Sequence, residues 1–343
     1  MIPHSRPTIG HEEIKNVEKV LLSRHIACGN MVERFENNMA RYIGVKGGVA
    51  VSSGTAALHL ALLSLGVSGG DEIIIPSYVC LALLNAITYC GANPVLVDID
   101  PETLNISFPD TIRALSKRTK AIIVPYIFGC PANIDEFLSL GIPVIEDCAQ
   151  AIGATYKGKR LGGFGMLGIF SFYATKVITT GEGGMVISND LRLLHRIRDL
   201  REYDKKRQFR LRYNYKMTDI QAAIGITQLK KLPWFLKKRR AIAKIYRDSL
   251  KDIPVFTQPE DGHIFYRFII MSKKKAENII AEFKKNGIEP KKPVFMPIHR
   301  YLGLDGFNNT EEAMNRAVSI PIYPSLSDRE VLKIASITRR CLS

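Results

Sequence analysis

The sequence predicts an α/β protein in which helices flank a mainly parallel central sheet and a small C-terminal α+β domain follows. Four short strands, apolar on both faces and each ending in proline or an acidic residue, occupy 71–76, 94–98, 121–125 and 143–147. Helical patterns separate them at 81–90, 109–116 and 133–140. After Asp252 the pattern changes to isolated strands and helices. We therefore predict a large domain over 1–240 and a small domain over 241–343.

The composition is typical of a globular protein of the cytoplasm. Hydrophobic residues make up 46% of the 343 residues. The sequence contains no run of about 18 apolar residues, which is the length needed to cross a membrane. The first residues lack the basic-then-apolar order of a signal peptide. Six cysteines form no Cys-x-x-Cys pair and are expected to be reduced thiols. No metal site is predicted.

The net charge of +15 would suit nucleic acid, an anionic membrane or a phosphorylated small molecule. The basic clusters, which are 192–212, 230–240 with Arg247, and 273–292, also have helical periodicity, which favours solvated helix faces. No zinc-finger spacing, RNA-binding aromatic signature or basic-zipper heptad accompanies them. We therefore expect an anionic small-molecule substrate, with neither nucleic acid nor membrane as a partner.

The chain begins with two predicted helices, 11–23 and 32–42, the second ending at Gly44. A strand from Gly48 then leads through Ser53-Gly54-Thr55 into a helix that begins at Ala56. Free N–H groups and the positive end of the helix dipole attract anions at such a junction. It is therefore a candidate phosphate cup, although an ordinary turn capped by Ser or Thr fits equally well.

A lysine follows the strand predicted over 169–173. Lys176 precedes a glycine turn, 181–184, and a second strand, 185–188. A partly desolvated lysine gives up its proton more readily and can attack a carbonyl to form a Schiff base. Taken alone, the stretch also fits a solvated lysine at a loop edge.

The carboxyl ends of parallel strands meet at one edge of the sheet, where ligands bind. Ser77, Asp147 and Gln150 lie just past such ends. A phosphate cup, a carboxylate and a lysine are the three groups that pyridoxal phosphate needs, for its phosphate, its pyridine nitrogen and its aldehyde. Asp147 could instead cap a turn.

The later region changes character. A helix over 191–202 precedes a charged irregular segment, 203–213, and Thr218 caps a helix over 219–232 that Pro233 is expected to break. Another helix, 237–250, follows. The small domain is predicted to contain a strand over 265–271 and helices over 274–286 and 327–337.

These residues resemble the DegT/StrS-type sugar aminotransferases, pyridoxal-phosphate enzymes of fold type I with the aspartate aminotransferase-like fold. The resemblance covers nearly the whole chain. Its motifs are Ser-Arg-Pro near the start, 51–62, 70–77, 97–101, 145–154, 168–184 and 213–223.

The resemblance implies specific cofactor contacts. Lys176 would form the Schiff base and move the proton between substrate and cofactor carbons, and Asp147 would pair with the pyridinium. Gln150 would lie against the ring near its phenolic oxygen. Gly54 and Thr55 would hold the phosphate.

The same resemblance adds residues around the cofactor. Ser171 would donate to the phosphate, and Asn214 would reach it from the neighbouring subunit of a homodimer with shared active sites. Glu182 and the glycine turn would shape the opening through which the substrate enters. Glu182 could equally cap the turn. His299 would lie near the substrate entrance, or it could be a loop histidine without a role.

Two positions depart from the family pattern. Cys80 stands where many relatives have an aromatic residue stacked on the pyridine face, so that Tyr78 or another neighbour would cover the ring, or the ring would be less tightly enclosed. The loop 25–29 lacks the usual Trp and Thr, which puts the family's usual sugar contacts in question.

The resemblance implies transfer of an amino group from glutamate to a keto-sugar, most often nucleotide-linked, for amino-sugar or surface-polysaccharide precursors. Arg201, Arg207 and Arg212 are candidates for the diphosphate. Alternatives are a cyclitol or other non-nucleotide ketone as acceptor, and a regulator that binds pyridoxal phosphate without turnover. Relatives that dehydrate the sugar typically lack the lysine, which is present here as Lys176.

Overall fold

A seven-stranded sheet forms the centre of the computed structural model, which describes residues 1–342. The strands in chain order, including a short hairpin (β6 and β7) and a small separate sheet (β10 and β11), are β1 (Gly47–Val51), β2 (Glu72–Pro76), β3 (Asn93–Val97), β4 (Thr119–Pro125), β5 (Val144–Asp147), β6 (Thr155–Tyr156), β7 (Lys159–Arg160), β8 (Leu167–Ser171), β9 (Gly184–Ser188), β10 (Phe268–Met271) and β11 (Ala317–Ile320).

The central strands lie side by side in the order β1-β9-β8-β5-β4-β2-β3. Strand β9 runs antiparallel to both of its neighbours, whereas all other adjacent pairs are parallel. The prediction of a mainly parallel sheet is therefore confirmed. Because β2, β4, β5 and β8 all point the same way, their carboxyl ends share one edge.

Helices surround this sheet and complete the small domain. In chain order they are α1 (His11–Ser23), α2 (Asn30–Ile43), α3 (Gly54–Ser64), α4 (Ala82–Tyr89), α5 (Phe108–Ala114), α6 (Ile134–Ser139), α7 (Leu191–Arg201), α8 (Asp219–Leu250), α9 (Ala276–Lys285), α10 (Ile298–Leu302), α11 (Asn308–Arg316) and α12 (Asp328–Leu342). No helix within residues 1–342 is both long and apolar enough to cross a membrane.

The sheet separates two hydrophobic cores. In β2, Ile74 packs in the core that contains Phe35 of α2, whereas Ile73 and Ile75 pack on the opposite face with Leu62 of α3. Each side of the strand is therefore covered by a helix. This explains why the strand sequences are apolar throughout rather than alternating.

Helix α8 corrects one prediction. It runs without interruption from Asp219 to Leu250, with Pro233 inside it. An interior proline removes one helical hydrogen bond and costs about 3 kcal/mol. Burial of Leu229, Leu232 and Phe235 around the proline offsets that cost. The predicted domain boundary at residue 240 lies within this helix, which belongs to both parts of the molecule.

A third core forms the small domain. The second half of α8 contributes Tyr246, which packs with Phe268 of β10, Phe283 of α9 and Ile334 of α12. Strand β11 pairs antiparallel with β10. The short elements β6, β7, α10, α11 and β11 were not predicted, because they are too short to show a clear periodicity.

Candidate active site

A cavity of about 240 Å³ lies at the carboxyl ends of the central strands. Lys176, Asp147 and Ser171 line it, together with the Ser53-Gly54-Thr55 turn. Strand β5 ends at Asp147, β8 ends at Ser171, and Lys176 lies in the loop that follows β8. The parallel topology thus brings together groups from three distant parts of the sequence.

The turn before α3 is the candidate anion-binding cup. Ser53 caps the helix, and its hydroxyl accepts a hydrogen bond from the Ala56 N–H at 3.1 Å. The N–H groups of Gly54 and Thr55 have no acceptor within residues 1–342. Both belong to the first turn, where the helix dipole adds to their attraction for an anion.

Ser171 lies directly against this cup. A Cβ atom placed on Gly54 would be 2.9 Å from the Ser171 Cβ and 3.2 Å from its hydroxyl oxygen. Glycine at position 54 therefore permits a close approach that any larger residue would prevent. The hydroxyl and the free N–H groups together fit a phosphate.

Asp147 is the buried carboxylate of the cavity. It is 8% exposed, and its Oδ1 accepts a hydrogen bond from the Ala149 N–H at 3.0 Å. Burial raises the pKa of Asp147, and this hydrogen bond and the charge of Lys176 oppose the rise. Its Oδ2 has no donor within residues 1–342. A buried carboxylate with a free oxygen is suited to a cationic ring nitrogen.

The neighbouring Glu146 fixes the position of β5. Its two oxygens accept hydrogen bonds from the N–H groups of Gly162, Phe164 and Gly165, each at 2.7 Å, and from the Tyr126 hydroxyl at 2.8 Å. Burial raises the pKa of Glu146, and these bonds oppose it. Sequence analysis did not single out this residue, although two consecutive acidic residues at the end of an apolar strand indicate buried carboxylates that need partners.

Tyr266 is a second neighbour of the lysine that sequence analysis missed. The Lys176 Nζ lies 5.3 Å from the centroid of its ring, and its hydroxyl is 3.3 Å from the Thr175 hydroxyl. Burial would raise the pKa of Tyr266, but the charges of Lys176 and Arg267 prevail and lower it to about 8. The sequence contains no signal that joins positions 90 residues apart.

The glycine turn after Lys176 packs on the phosphate cup. A Cβ on Gly184 would be 2.3 Å from the Ser53 carbonyl oxygen, so this contact requires glycine. Glu182 lies exposed at the cavity wall, and its carbonyl accepts hydrogen bonds from Thr180 Oγ1 at 2.6 Å and Gln221 Nε2 at 2.8 Å. Its carboxylate has no partner within residues 1–342, and remains available at the cavity.

Gln150 and His299 are not among the residues that line the cavity. The side-chain Oε1 of Gln150 accepts a hydrogen bond from the Phe128 N–H at 2.8 Å. His299 is buried, with Nδ1 2.6 Å from Ser77 Oγ and Nε2 2.8 Å from Glu311 Oε1. It therefore links the loop after β2 to α11 of the small domain and does not line the cavity.

Cys80 lines the cavity, whereas Tyr78 does not. The Tyr78 ring is fully buried and packs edge-on against Phe128, with ring centroids 6.3 Å apart. Of the two, the small thiol is therefore the one at the cavity wall. Asn214 is exposed and has no hydrogen bond within residues 1–342, which leaves its side chain free.

Two of the three arginines considered for a diphosphate are engaged elsewhere. Arg201 is buried and pairs with Glu36 at 2.7 Å. Arg212 pairs with Asp199 at 3.1 Å. Arg207 is exposed and forms no ion pair within residues 1–342, so it alone of the three has a free guanidinium.

Comparisons with known proteins identify the family of the chain. A model of the DegT/DnrJ/EryC1/StrS aminotransferase family matches residues 7–339. GDP-perosamine synthase of Escherichia coli O157:H7 is 37% identical over 351 residues, covering 97% of this chain and 96% of that protein.

Solved structures of similar proteins share the fold. The aminotransferase TlmJ from Streptoalloteichus hindustanus has a TM-score of 0.94 and 29% identity, covering 100% of this chain and 99% of that one. GDP-4-keto-6-deoxymannose-3-dehydratase, solved with a trapped PLP-glutamate geminal diamine, has a TM-score of 0.92 and 27% identity, covering 100% of each chain.

Proposed function

The chain belongs to the DegT/DnrJ/EryC1/StrS aminotransferase family, and on this premise we propose that it transfers an amino group from glutamate to a nucleotide-linked keto-sugar. It is a pyridoxal-phosphate-dependent aminotransferase of fold type I. The observation that carries the proposal is the single cavity that contains Lys176, Asp147, Ser171 and the turn at 53–55.

The residues present fit the cofactor. The free N–H groups of Gly54 and Thr55 and the Ser171 hydroxyl would hold its phosphate, and Asp147 would pair with its ring nitrogen. Lys176 would hold its aldehyde. When bound, the cofactor supplies an electron sink for the carbon that carries the amino group.

The protein's own side chains then move the proton and set the charge around the cofactor. The Lys176 amine is the base that takes a proton from the amino-bearing carbon and returns it. Asp147, paired with the ring nitrogen of the cofactor, would stay ionised despite its burial. Gln150 would approach the ring only if its bond to the Phe128 N–H were exchanged.

We propose a GDP-linked keto-sugar as the first acceptor to test. Two of the similar proteins carry GDP-linked sugars in their names, and the chain has a net charge of +15. Exposed Arg207 is a candidate for the diphosphate. The product would be an amino-sugar precursor of a surface polysaccharide, made in the cytoplasm.

We further propose a homodimer with shared active sites. The support is Asn214, whose exposed side chain has no partner within residues 1–342. Its backbone position is nevertheless fixed nearby, because Lys216, two residues on, forms a β-bridge with Val51. In a dimer this amide would reach the phosphate of the other subunit. Sedimentation of the holoenzyme should therefore give a dimer, and a monomer with full activity would contradict it.

Cofactor absorbance tests the site. Purified protein should show the visible band of bound pyridoxal phosphate, glutamate should bleach it, and Lys176→Ala should lack it. Lys157→Ala, which changes an exposed lysine, is the matched control and should keep the band. Retention of the band in Lys176→Ala would remove this lysine from its proposed role.

The acceptor is tested by mass spectrometry. The enzyme is incubated with glutamate and a panel of GDP-, UDP- and dTDP-linked keto-sugars and a keto-cyclitol. We expect replacement of the keto oxygen by an amino group in a nucleotide-linked member, the GDP-linked one first. Amination of the cyclitol alone would overturn the proposed acceptor, and a band that no amine donor alters would indicate a binding protein without turnover.

A further inference from the structure

The end of the Lys176 side chain lies against an aromatic ring instead of a polar group. The Lys176 Nζ is 5.3 Å from the centroid of the Tyr266 ring, which is within the range of a cation–π contact. Within residues 1–342 this nitrogen forms no hydrogen bond and no ion pair. Asp147 acts on it only through its charge. The Tyr266 ring is therefore the contact that holds the free amine.

Tyr266 reaches the lysine from the small domain. Its side chain is 7% exposed, and it is not among the residues that line the cavity of about 240 Å³. The ring therefore contacts the amine without occupying the space that a ligand of the cavity would fill. Its hydroxyl oxygen is 3.3 Å from that of Thr175, the residue before the lysine. Tyr266 thus contacts both Lys176 and the loop that carries it.

The backbone on both sides of Tyr266 is fixed to the large domain. The Ile264 N–H donates to the Gly129 carbonyl oxygen at 3.1 Å, and the Arg267 N–H donates to the Phe128 carbonyl oxygen at 3.2 Å. Both acceptors lie just past the carboxyl end of β4. A Cβ on Gly129, whose φ is +91°, would be 3.1 Å from the Tyr266 backbone nitrogen, so glycine permits this approach. The sheet edge that forms the cavity therefore also fixes Tyr266.

A buried arginine holds the same segment to α8. Arg239 donates from Nη1 to the carbonyl oxygens of Phe265, Tyr266 and Ile322 at 3.0, 3.2 and 3.0 Å. Its side chain is 4% exposed, so these hydrogen bonds are shielded from water. The backbone of Tyr266 is thus held by contacts to the sheet edge and to the long helix. Its ring therefore has a fixed position relative to the lysine loop.

We propose that Tyr266 is a positioning residue for Lys176, whose amine its ring holds at the cavity wall while that amine is not bonded to the cofactor. This assignment rests on the proposed aminotransferase function. In that function the amine first attacks the cofactor aldehyde and later, when free, moves a proton at the substrate carbon. A free lysine has a long flexible stem and many rotamers. A fixed ring that attracts its N–H groups favours the rotamers that face the reacting atoms.

An aromatic ring suits this task better than an acid would. A carboxylate against the amine would stabilise its charged form, which has no lone pair for attack or for proton transfer. The face of a ring attracts the N–H groups more weakly and presents no acceptor oxygen to them. Tyr266 can therefore hold the Lys176 amine and leave it reactive.

Cofactor loading tests the assignment without the transfer reaction. The cofactor-free, full-length protein is mixed with pyridoxal phosphate, and the rate at which the visible band appears is measured by stopped flow. Pyridoxamine phosphate, which has no aldehyde and cannot bond to the lysine, is titrated separately by fluorescence. In Tyr266→Leu the band should appear about tenfold more slowly, with the affinity for pyridoxamine phosphate unchanged within about twofold. Tyr266→Phe keeps the ring but not the hydroxyl, and should load within about threefold of the wild-type rate.

Tyr323→Leu is the matched control. It also removes a buried tyrosine ring of the small domain, but that ring belongs to the third core and has no contact with Lys176. This variant should load pyridoxal phosphate at the wild-type rate. If Tyr266→Leu does not fold, Tyr266→Met, which fills more of the volume without a ring, is judged by the same comparison.

Three outcomes would overturn the assignment. An unchanged loading rate in Tyr266→Leu would show that the ring does not position the amine. Equal losses for pyridoxal phosphate and pyridoxamine phosphate would indicate a general structural role. A loss in Tyr266→Phe as large as that in Tyr266→Leu would assign the effect to the hydroxyl. A wild type that gives no visible band with pyridoxal phosphate would instead contradict the proposed function.

Discussion

Asp147 combines burial with an incomplete set of partners. The pKa of its carboxyl group is raised in the isolated chain, and within residues 1–342 the only hydrogen bond to that carboxylate comes from the Ala149 N–H. A buried anion needs a cation or several donors to remain charged. The cofactor ring would provide that cation, so the same residue is poorly stabilised alone and well stabilised in the holoenzyme.

We expect Asp147→Asn to retain the cofactor but to slow the reaction with glutamate about 100-fold, because an amide cannot keep the ring nitrogen protonated. Stopped-flow measurement of bleaching gives the rate, and equilibrium dialysis gives the cofactor content. Asp135→Asn, which removes an exposed carboxylate, is the control. A near-normal rate in Asp147→Asn would exclude the pairing with the ring nitrogen.

Gly54 allows a second test at the scale of one atom. In Gly54→Ala the new Cβ would lie 2.9 Å from the Ser171 Cβ, so the cup must widen. We expect cofactor affinity to fall about tenfold or more, measured by fluorescence titration. Gly69→Ala is the control, because its new Cβ would meet only the Gly91 carbonyl at 3.8 Å. Equal affinities would show that the cup tolerates the methyl group.

Elements were predictable where pattern and burial agree. Strands β2, β4 and β5 are apolar on both faces and end at proline or an acid, so their sequences indicated both their type and their common edge. The two-strand hairpin β6-β7 and the five-residue α10 have no such pattern, since so few residues cannot establish a period.

Helix α8 shows tertiary packing overriding a local signal. A proline normally ends a helix, yet this helix continues because its buried side chains lie on both sides of Pro233. Pro233 itself is exposed. The rule that proline ends a helix therefore predicted two helices, whereas the packing of buried side chains produces one.

Pro233→Ala should stabilise the protein by about 1 to 3 kcal/mol, because it restores an N–H to the helix and removes the clash of the ring with the preceding turn. Urea unfolding followed by circular dichroism measures the change. Lys237→Ala, also exposed in α8, should shift the free energy of unfolding by less than about 0.5 kcal/mol. A destabilised Pro233→Ala would mean that the helix is shaped around the proline.

At the scale of the whole molecule, the sequence indicated which groups of the large domain meet but not what the small domain adds to them. Lys176, Asp147 and Gly54 stand in motifs at strand ends, so topology alone brings them together. Tyr266 and Arg267 reach the same region because α8 and the carbonyl contacts of Arg239 dock the small domain there. Contacts of this kind depend on packing between distant elements, which no local pattern encodes.

Docking of the small domain also buries neutral histidines. The pKa of His263 is lowered to about 3 by burial and by the charges of Arg247 and Arg240. Its Nδ1 accepts the Phe265 N–H at 2.7 Å, and Nε2 is 3.3 Å from Gln258 Oε1. The unfolded chain, with a histidine pKa near 6.5, binds this proton more readily. Stability is therefore complete above about pH 6.5 and is lost as the pH falls towards 3.

We expect His263→Gln to be less stable than the wild type at pH 7 but to lose less stability on acidification. Between pH 7 and pH 5 one such histidine accounts for about 2 kcal/mol of the loss, since about 1.5 pKa units are traversed below 6.5. The free energy of unfolding is measured in urea at pH 7 and at pH 5 for the wild type and for the variant. Subtracting the variant's change between the two pH values from the wild-type change separates the contribution of His263 from that of the carboxylates. The exposed His195→Gln should reproduce the wild-type difference. An unchanged difference in His263→Gln would mean that His263 is protonated in the folded state as readily as in the unfolded chain, and that its ring can reach water without undoing the contact between the domains.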